Sequence, residues 1–266
     1  MTYTTPPTYT APSPTGPAGI PSTPAPAAPS FLQRIRRFPA TFGLIAVTAL
    51  VFVAQLLSQA IVGSDIVLYY GAKINENLAA GEAWRLVTPV FLHAGLLHIG
   101  VNMYSLWALG PAVERFFGHA RFLIVYLLSG ISGVMLSLVM SSNPSVGASG
   151  AIFGLLGALA TFLYLHRATF GKLGAMQLRQ LVFVALLNLG MGLTPGIDNW
   201  GHVGGLVAGV ALAWFLGPRF STTVLPDGRP RLVDIRTKQQ ISVRTGLAIV
   251  TAIIMSILAM MNAKGT

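Results

Sequence analysis

One serine sits among small residues at Gly147-Ala148-Ser149-Gly150, and one histidine opens a second glycine-rich run, Gly201-His202-Val203-Gly204-Gly205. A serine hydroxyl is a weak nucleophile until a base within about 2.6–3.2 Å takes its proton. Histidine, with an ordinary pKa of about 6.5, suits that task near neutral pH. The chemistry on offer is nucleophilic attack by Ser149 with His202 as general base. His98 and Asn102, spaced i and i+4, share one face of a helix and could donate to an oxyanion. The leading N–H groups of a helix that begins at Ser149 lack helical partners and would add backbone donors.

Each of these signals also has a plainer reading. Glycines four apart, as at Gly201, Gly205 and Gly209, commonly let two membrane helices pack closely. A single membrane serine often bonds the preceding turn of its own helix. His93, His98 and His202 would suit zinc, but no Asp or Glu falls within the helices at their depth to complete a site, so no metal and no cofactor is expected. Cysteine is absent, which excludes disulfides, thiolate metal sites and cysteine nucleophiles.

These residues need helices in a membrane to position them. The chain is 53% hydrophobic and only 9% charged, against about 25% charged in soluble domains. Its net charge of +10 could suggest nucleic acid, but the charges fall in short runs between long uncharged windows. Beyond the N-terminal stretch those windows are 38–64, 86–113, 122–166, 180–197, 199–218 and 245–263. A spanning helix needs about 20 apolar residues, and 122–166 holds two, separated by Ser141-Ser142-Asn143-Pro144. The expected helices are therefore about 41–62, 92–112, 121–140, 148–166, 179–192, 200–217 and 245–262. The fold class is an all-α polytopic membrane protein.

Basic residues orient it. Arg34, Arg36, Arg37, Arg115, Arg121, Arg167, Lys172, Arg179, Arg219, Arg229, Arg231, Arg236, Lys238 and Arg244 fall on one side, leaving Lys73, Arg85 and Lys264 of the 17 on the other. The positive-inside rule puts the N-terminus in the cytoplasm and the C-terminus outside. Helices two, four and six then run from outside to inside, and His98, Asn102, Ser149 and His202 share one layer near the outer face. Residues 1–30 carry no charge and nine prolines, and read as a disordered cytoplasmic tail without signal-peptide features. The expected organisation is that tail, a six-helix core over 38–218, a basic cytoplasmic loop over 219–244 and a seventh helix over 245–262. The outer loop from 63 to 84 is long, and its 67–70 and 78–80 pieces suggest partial burial. His119 and His166 read as interfacial, and Asp198 as a loop residue.

Over about 42–216 the chain resembles the rhomboid intramembrane serine proteases. Gly147-Ala148-Ser149-Gly150 resembles the family's GxSG motif, and Gly201-His202 with Gly205 and Gly209 its base helix. His98 and Asn102 match the HxxxN oxyanion motif, His93 the accompanying histidine, Trp84-Arg85 the WR pair of the outer loop, and Gly110 through Gly118 the GxxxExxxG pattern. The resemblance implies a six-helix bundle plus a seventh C-terminal helix. It also implies a cell-membrane serine endopeptidase with a Ser149–His202 dyad and no third acid, cutting peptide bonds in or near transmembrane segments of other membrane proteins. Gly147, Gly150, Gly201, Gly205 and His93 would support the site. Phe153 stands where many members have tyrosine, keeping a ring to stack on His202 but losing the hydroxyl. Substrate would enter laterally near helix five, with 193–199 as a movable cap. The rival readings are a transporter, and a non-catalytic binder of membrane helices. No nucleic-acid partner is expected, and the bilayer is the surrounding solvent.

Overall fold

A computed structural model describes residues 30–224 and 229–263. The tail expected over 1–30 lies outside them apart from Ser30, as does Lys264. The elements in chain order are α1 (Phe31–Arg37), α2 (Pro39–Val62), α3 (Ile66–Gly71), α4 (Asn75–Ala79), two 3-10 turns (Ala83–Leu86 and Thr88–Phe91), α5 (Leu96–Phe117), α6 (His119–Met140), α7 (Ser149–Leu165), α8 (Arg167–Met191), α9 (Asn199–Leu216), the strands β1 (Phe220–Val224) and β2 (Pro230–Asp234), and α10 (Lys238–Ala263). Seven long helices, α2 and α5 to α10, form an all-α membrane bundle. Among the described residues, α2, α6, α8, α9 and α10 are long and apolar enough to cross a membrane by length and composition. Ser149–Leu165 is a shorter apolar helix, and α5 carries His98, Asn102, Glu114 and Arg115.

α7 is the centre. Twelve of its 17 residues are buried, from Ala151 through Leu163, so it presents no polar face and needs none. α5, α6, α8 and α9 surround it. The outer helices show the opposite pattern, with Phe183, Leu186 and Leu187 of α8 and Ile253, Ile254 and Leu258 of α10 exposed. Such surface is stable against lipid and not against water.

Several boundaries differ from those read off the charges. The second long helix begins at Leu96 rather than 92, because the His93 backbone is taken by a side chain: Gln55 Oε1 accepts from His93 N at 3.0 Å, and Gln55 Nε2 donates to His93 O at 3.1 Å. It continues to Phe117, past Pro111 and two charges, because Glu114 is buried with a task. The Glu114 carboxylate accepts from Ala40 N at 3.0 Å, Thr41 N at 2.8 Å and Thr41 Oγ1 at 2.6 Å, satisfying orphan donors at the start of α2. Gly110, one turn earlier, leaves room for the Thr41 side chain, which a Cβ there would meet at 2.6 Å.

The fifth long helix extends back from 179 to Arg167, across a break at Gly171 (φ 53°). Its basic residues are helical, with Arg167 lying over the Tyr164 ring at 4.9 Å; long cationic side chains reach out from helix ends as readily as from loops. The basic 219–244 segment is not all loop. β1 and β2 pair antiparallel, Phe220 opposite Asp234. The last helix starts at Lys238 instead of 245, capped by a reciprocal pair: Thr237 Oγ1 accepts from Gln240 N at 3.1 Å and Gln240 Oε1 accepts from Thr237 N at 3.0 Å. His166 is buried against the protein, bonded through Nδ1 to Phe162 O at 2.9 Å while Nε2 accepts from Phe220 N at 3.1 Å, which docks the hairpin on α7.

Candidate active site

Ser149 opens α7 and His202 lies in the first turn of α9. The two helices can approach because glycine carbonyls stand where side chains would be. A Cβ at Gly205 would run into the Gly150 carbonyl oxygen, and one at Gly209 into that of Gly154. α6 closes the third side, where Gly133 faces the Gly201 carbonyl oxygen 2.6 Å from where its Cβ would be. The result is a hydrogen bond of 2.9 Å between His202 Nε2 and Ser149 Oγ. Phe153, one turn after Ser149, lies against the other side of the imidazole, its ring 4.5 Å away and 9° from parallel. His202 Nδ1 is buried and meets no hydrogen-bond partner among the described residues.

The loop before Ser149 is held from two sides. Gly147 N donates to Pro89 O at 2.8 Å, and Gly147 takes φ +127°, a conformation that favours glycine. Its missing side chain also makes room for a ring: a Cβ there would lie 2.7 Å from His98 Nε2. The helical ladder of α7 starts with Ile152 N donating to Ala148 O at 3.0 Å, so the Ser149 and Gly150 N–H groups precede it. His98 thus borders the serine. Asn102 is buried beneath it, and its Nδ2 donates to His98 O at 2.9 Å, one turn back along α5. His93 is buried behind, its ring 5.0 Å from that of His98 at an edge-on angle.

Three residues to which their sequence context assigns no role at the site build the frame. Gln55 of α2 is buried and carries the His93 backbone. Asp198, read as a loop residue, is the N-cap of α9: Oδ1 accepts from Gly201 N at 3.0 Å, and Oδ2 accepts from Ser145 Oγ at 2.5 Å. Ser145 precedes Ser149 by four residues and Asp198 precedes His202 by four, so one bond ties the approaches to both helices. Asp before a glycine-rich helix was the available signal, since Asp is a preferred N-cap. Lys73 is the third. Its backbone pairs with that of Ser145, and its buried Nζ donates to Ser137 O at 3.2 Å, Ser141 O at 2.8 Å and Asn143 O at 2.9 Å, closing the end of α6.

The pair Trp84-Arg85, in the first 3-10 turn, is structural. Arg85 is buried, with Nη1 donating to Tyr69 O at 2.9 Å and Ala72 O at 2.7 Å and Nε to Glu82 at 2.6 Å, while Trp84 Nε1 donates to Tyr70 O at 3.0 Å. Together they fasten α3 beneath the first 3-10 turn. Between α8 and α9, Gly196 has φ +91° and Leu193 is exposed. A cavity of about 20 Å³, room for a single water, lies behind Ser149 among Pro89, Gly133, Ser145, Gly147 and Asp198.

Comparison with known proteins follows the same stretch of chain. A family model described as Rhomboid domain matches residues 80–219. Rhomboid protease GluP of Bacillus subtilis (strain 168) is 41% identical over 178 residues, 66% of this chain and 34% of the relative. RHOMBOID-like protein 4 of Arabidopsis thaliana is 38% identical over 147 residues, 55% of this chain and 37% of the relative. The mitochondrial RHOMBOID-like protein 6 of the same plant is 41% identical over 136 residues, 51% and 44% of the two chains. The matches thus span well under two thirds of the length of these relatives.

Proposed function

The chain belongs to the rhomboid family, and from that premise we propose that it is an intramembrane serine endopeptidase acting through a Ser149–His202 dyad. One observation carries the reading: a serine and a histidine at the heads of two buried helices, 2.9 Å apart, with glycines clearing the approach. Ser149 Oγ attacks the carbonyl carbon of the scissile bond as His202 Nε2 takes its proton. The tetrahedral intermediate collapses when His202 returns that proton to the leaving amine, and water repeats the cycle on the acyl-enzyme. The free N–H of Ser149 at the helix start, with His98 and Asn102, stabilises the oxyanion.

His202 needs no carboxylate orienter in this scheme. Its ring is held between Ser149 and the parallel face of Phe153, and Nδ1 meets no acid among the described residues. Substrates are transmembrane segments of other proteins. The basic residues support a cytoplasmic N-terminus and an active site opening toward the outer face, and the exposed stretch between α8 and α9 is compatible with a cap over the entry.

The test is cleavage of a single-span model substrate by the purified full chain in detergent. Wild type cuts, and both Ser149→Ala and His202→Ala lose all detectable cleavage while circular dichroism shows an intact fold. Asn102→Ala keeps a residual rate, lower by about 10²–10³ in kcat, the usual effect of losing one oxyanion donor. Cleavage by Ser149→Ala at the wild-type rate would sink the mechanism.

A further inference from the structure

At the far end of α9, about 18 Å from His202 at 1.5 Å per residue, a cleft of about 470 Å³ opens between α9, the end of β2 and the first turns of α10. Trp214, Phe215 and Ile235 supply its apolar wall and Arg219, Arg236 and Arg244 its charge. Each arginine is half-buried, with its guanidinium anchored on a backbone carbonyl. Arg219 Nη2 donates to Trp214 O at 3.4 Å, Arg236 Nε to Gly217 O at 2.8 Å, and Arg244 Nη1 to Phe215 O at 2.9 Å. Arg219 lies over the Trp214 ring at 5.6 Å and Arg244 over the Phe215 ring at 5.1 Å.

Three cations are thereby gathered with no acidic residue in the lining. The adjacent carboxylate, Asp234, is occupied by Arg121 Nη2 at 2.6 Å and by the backbone N–H groups of Arg219 and Arg236 at 3.0 and 3.2 Å. Among the described residues, no ion pair involves the three cleft arginines. Burial, with Arg244 and Arg219 nearby, holds Arg236 below the ordinary arginine range. Like charges fixed this way repel unless an anion joins them, and planar guanidinium forks match the oxygens of a phosphate.

We propose that this cleft binds the phosphate headgroup of an anionic phospholipid from the adjoining leaflet. A lipid fits better than a soluble phosphate because apolar tracks run from the cleft toward the bilayer. Trp214, Val210 and Val207 follow one another at helical spacing along α9 and are exposed, as is Leu247, one turn beyond Arg244 on α10. Aromatic residues at helix ends sit at headgroup level, and basic pockets between spanning helices take anionic headgroups. The bound lipid bridges α9 and α10, fastening the last helix to the bundle. This site is independent of the Ser149 chemistry.

The test uses the full chain, delipidated in detergent, titrated with short-chain phosphatidylglycerol, phosphatidylcholine of the same acyl length, or inorganic phosphate. Unfolding midpoint and lipid retained in native mass spectrometry are read together. Phosphatidylglycerol raises the midpoint and binds at least about tenfold more tightly than phosphatidylcholine, while phosphate leaves the midpoint unchanged. Joint Arg219→Gln, Arg236→Gln and Arg244→Gln weakens phosphatidylglycerol at least about tenfold, and Arg34→Gln, Arg36→Gln and Arg37→Gln, removing equal charge elsewhere, does not. Should the cleft variant fail to fold, lysine at the same three positions keeps the charge, loses the fork and still weakens binding several-fold. Equal affinity for the two lipids, a shift reproduced by phosphate alone, or equal loss from the control variant would each overturn the proposal.

Discussion

The imidazole of His202 is held by Ser149 Oγ on its edge and the Phe153 ring on its face, without an acid at Nδ1 among the described residues. Phe153 follows Ser149 by four residues, so their shared helix face was legible in the sequence. That the ring lies parallel to His202 was not, because it depends on how α9 is rotated against α7. Stacked rings are worth about 0.5–1.5 kcal/mol beyond burial. Phe153→Ala therefore lowers kcat by roughly 2- to 10-fold, at about 1.36 kcal/mol per tenfold, while Phe153→Tyr retains the wild-type rate. A kcat unaffected by Phe153→Ala, measured on the same single-span substrate, would remove the ring from the catalytic account. Gln55 and Lys73 were not legible at this scale. A lone glutamine in an apolar helix and a lone lysine in a loop declare no partner, and the backbone groups they hold, at His93 and at Ser137, Ser141 and Asn143, lie more than thirty residues away.

At the scale of elements, glycine spacing does the positioning. The four-residue repeat from Gly201 announces a side-chain-free stripe, but the sequence leaves its partner open. The partner is α7 and, on the flank, α6, because Gly150 and Gly154 present carbonyls where Gly205 and Gly209 lack Cβ atoms. Gly205→Ala forces the two helices apart. It costs about 1–3 kcal/mol, as overpacking does, and it reduces cleavage beyond the loss of folded protein because Ser149 and His202 separate. Gly246 on α10 has nothing within 4 Å of its missing Cβ. Gly246→Ala should therefore leave activity unchanged and add about 0.5–1 kcal/mol to stability, from its better helix propensity. Unfolding in denaturant, run beside the cleavage assay, separates the two, and equal behaviour of the two variants would overturn the packing argument. Charge was the weaker guide to elements. Glu114, Arg179 and Arg244 all mark apparent helix ends, yet each lies inside a helix, because a buried carboxylate can cap a neighbour and long cationic side chains can reach out from a helix.

In the whole molecule, the connection between α2 and α5 is fastened to the bundle through Lys73. Burial lowers its pKa from 10.5 to about 8, against the opposing pull of Asp198 and Glu76. The folded chain then releases this proton at lower pH than the unfolded chain does. Between about pH 8 and 10.5 the unfolded state binds more protons, so the Lys73 contribution to stability rises with pH and is flat below 8. Unfolding free energies measured from pH 7 to 10 should show that rise in wild type and a shallower one in Lys73→Met; parallel curves would contradict it. Uncharged windows of helical length, the apolar composition and the ordered motifs determined by themselves that this is a polytopic helical membrane protein and singled out Ser149 and His202 as candidates, because lipid forces backbone satisfaction within each helix and makes polar residues there conspicuous. Tertiary structure alone decided the 2.9 Å between Ser149 and His202, the Ser145–Asp198 tie above them, and the gathering of Arg219, Arg236 and Arg244 around one cleft. Such contacts join residues distant along the chain, and their geometry comes from how helices rotate and dock, which local spacing does not encode.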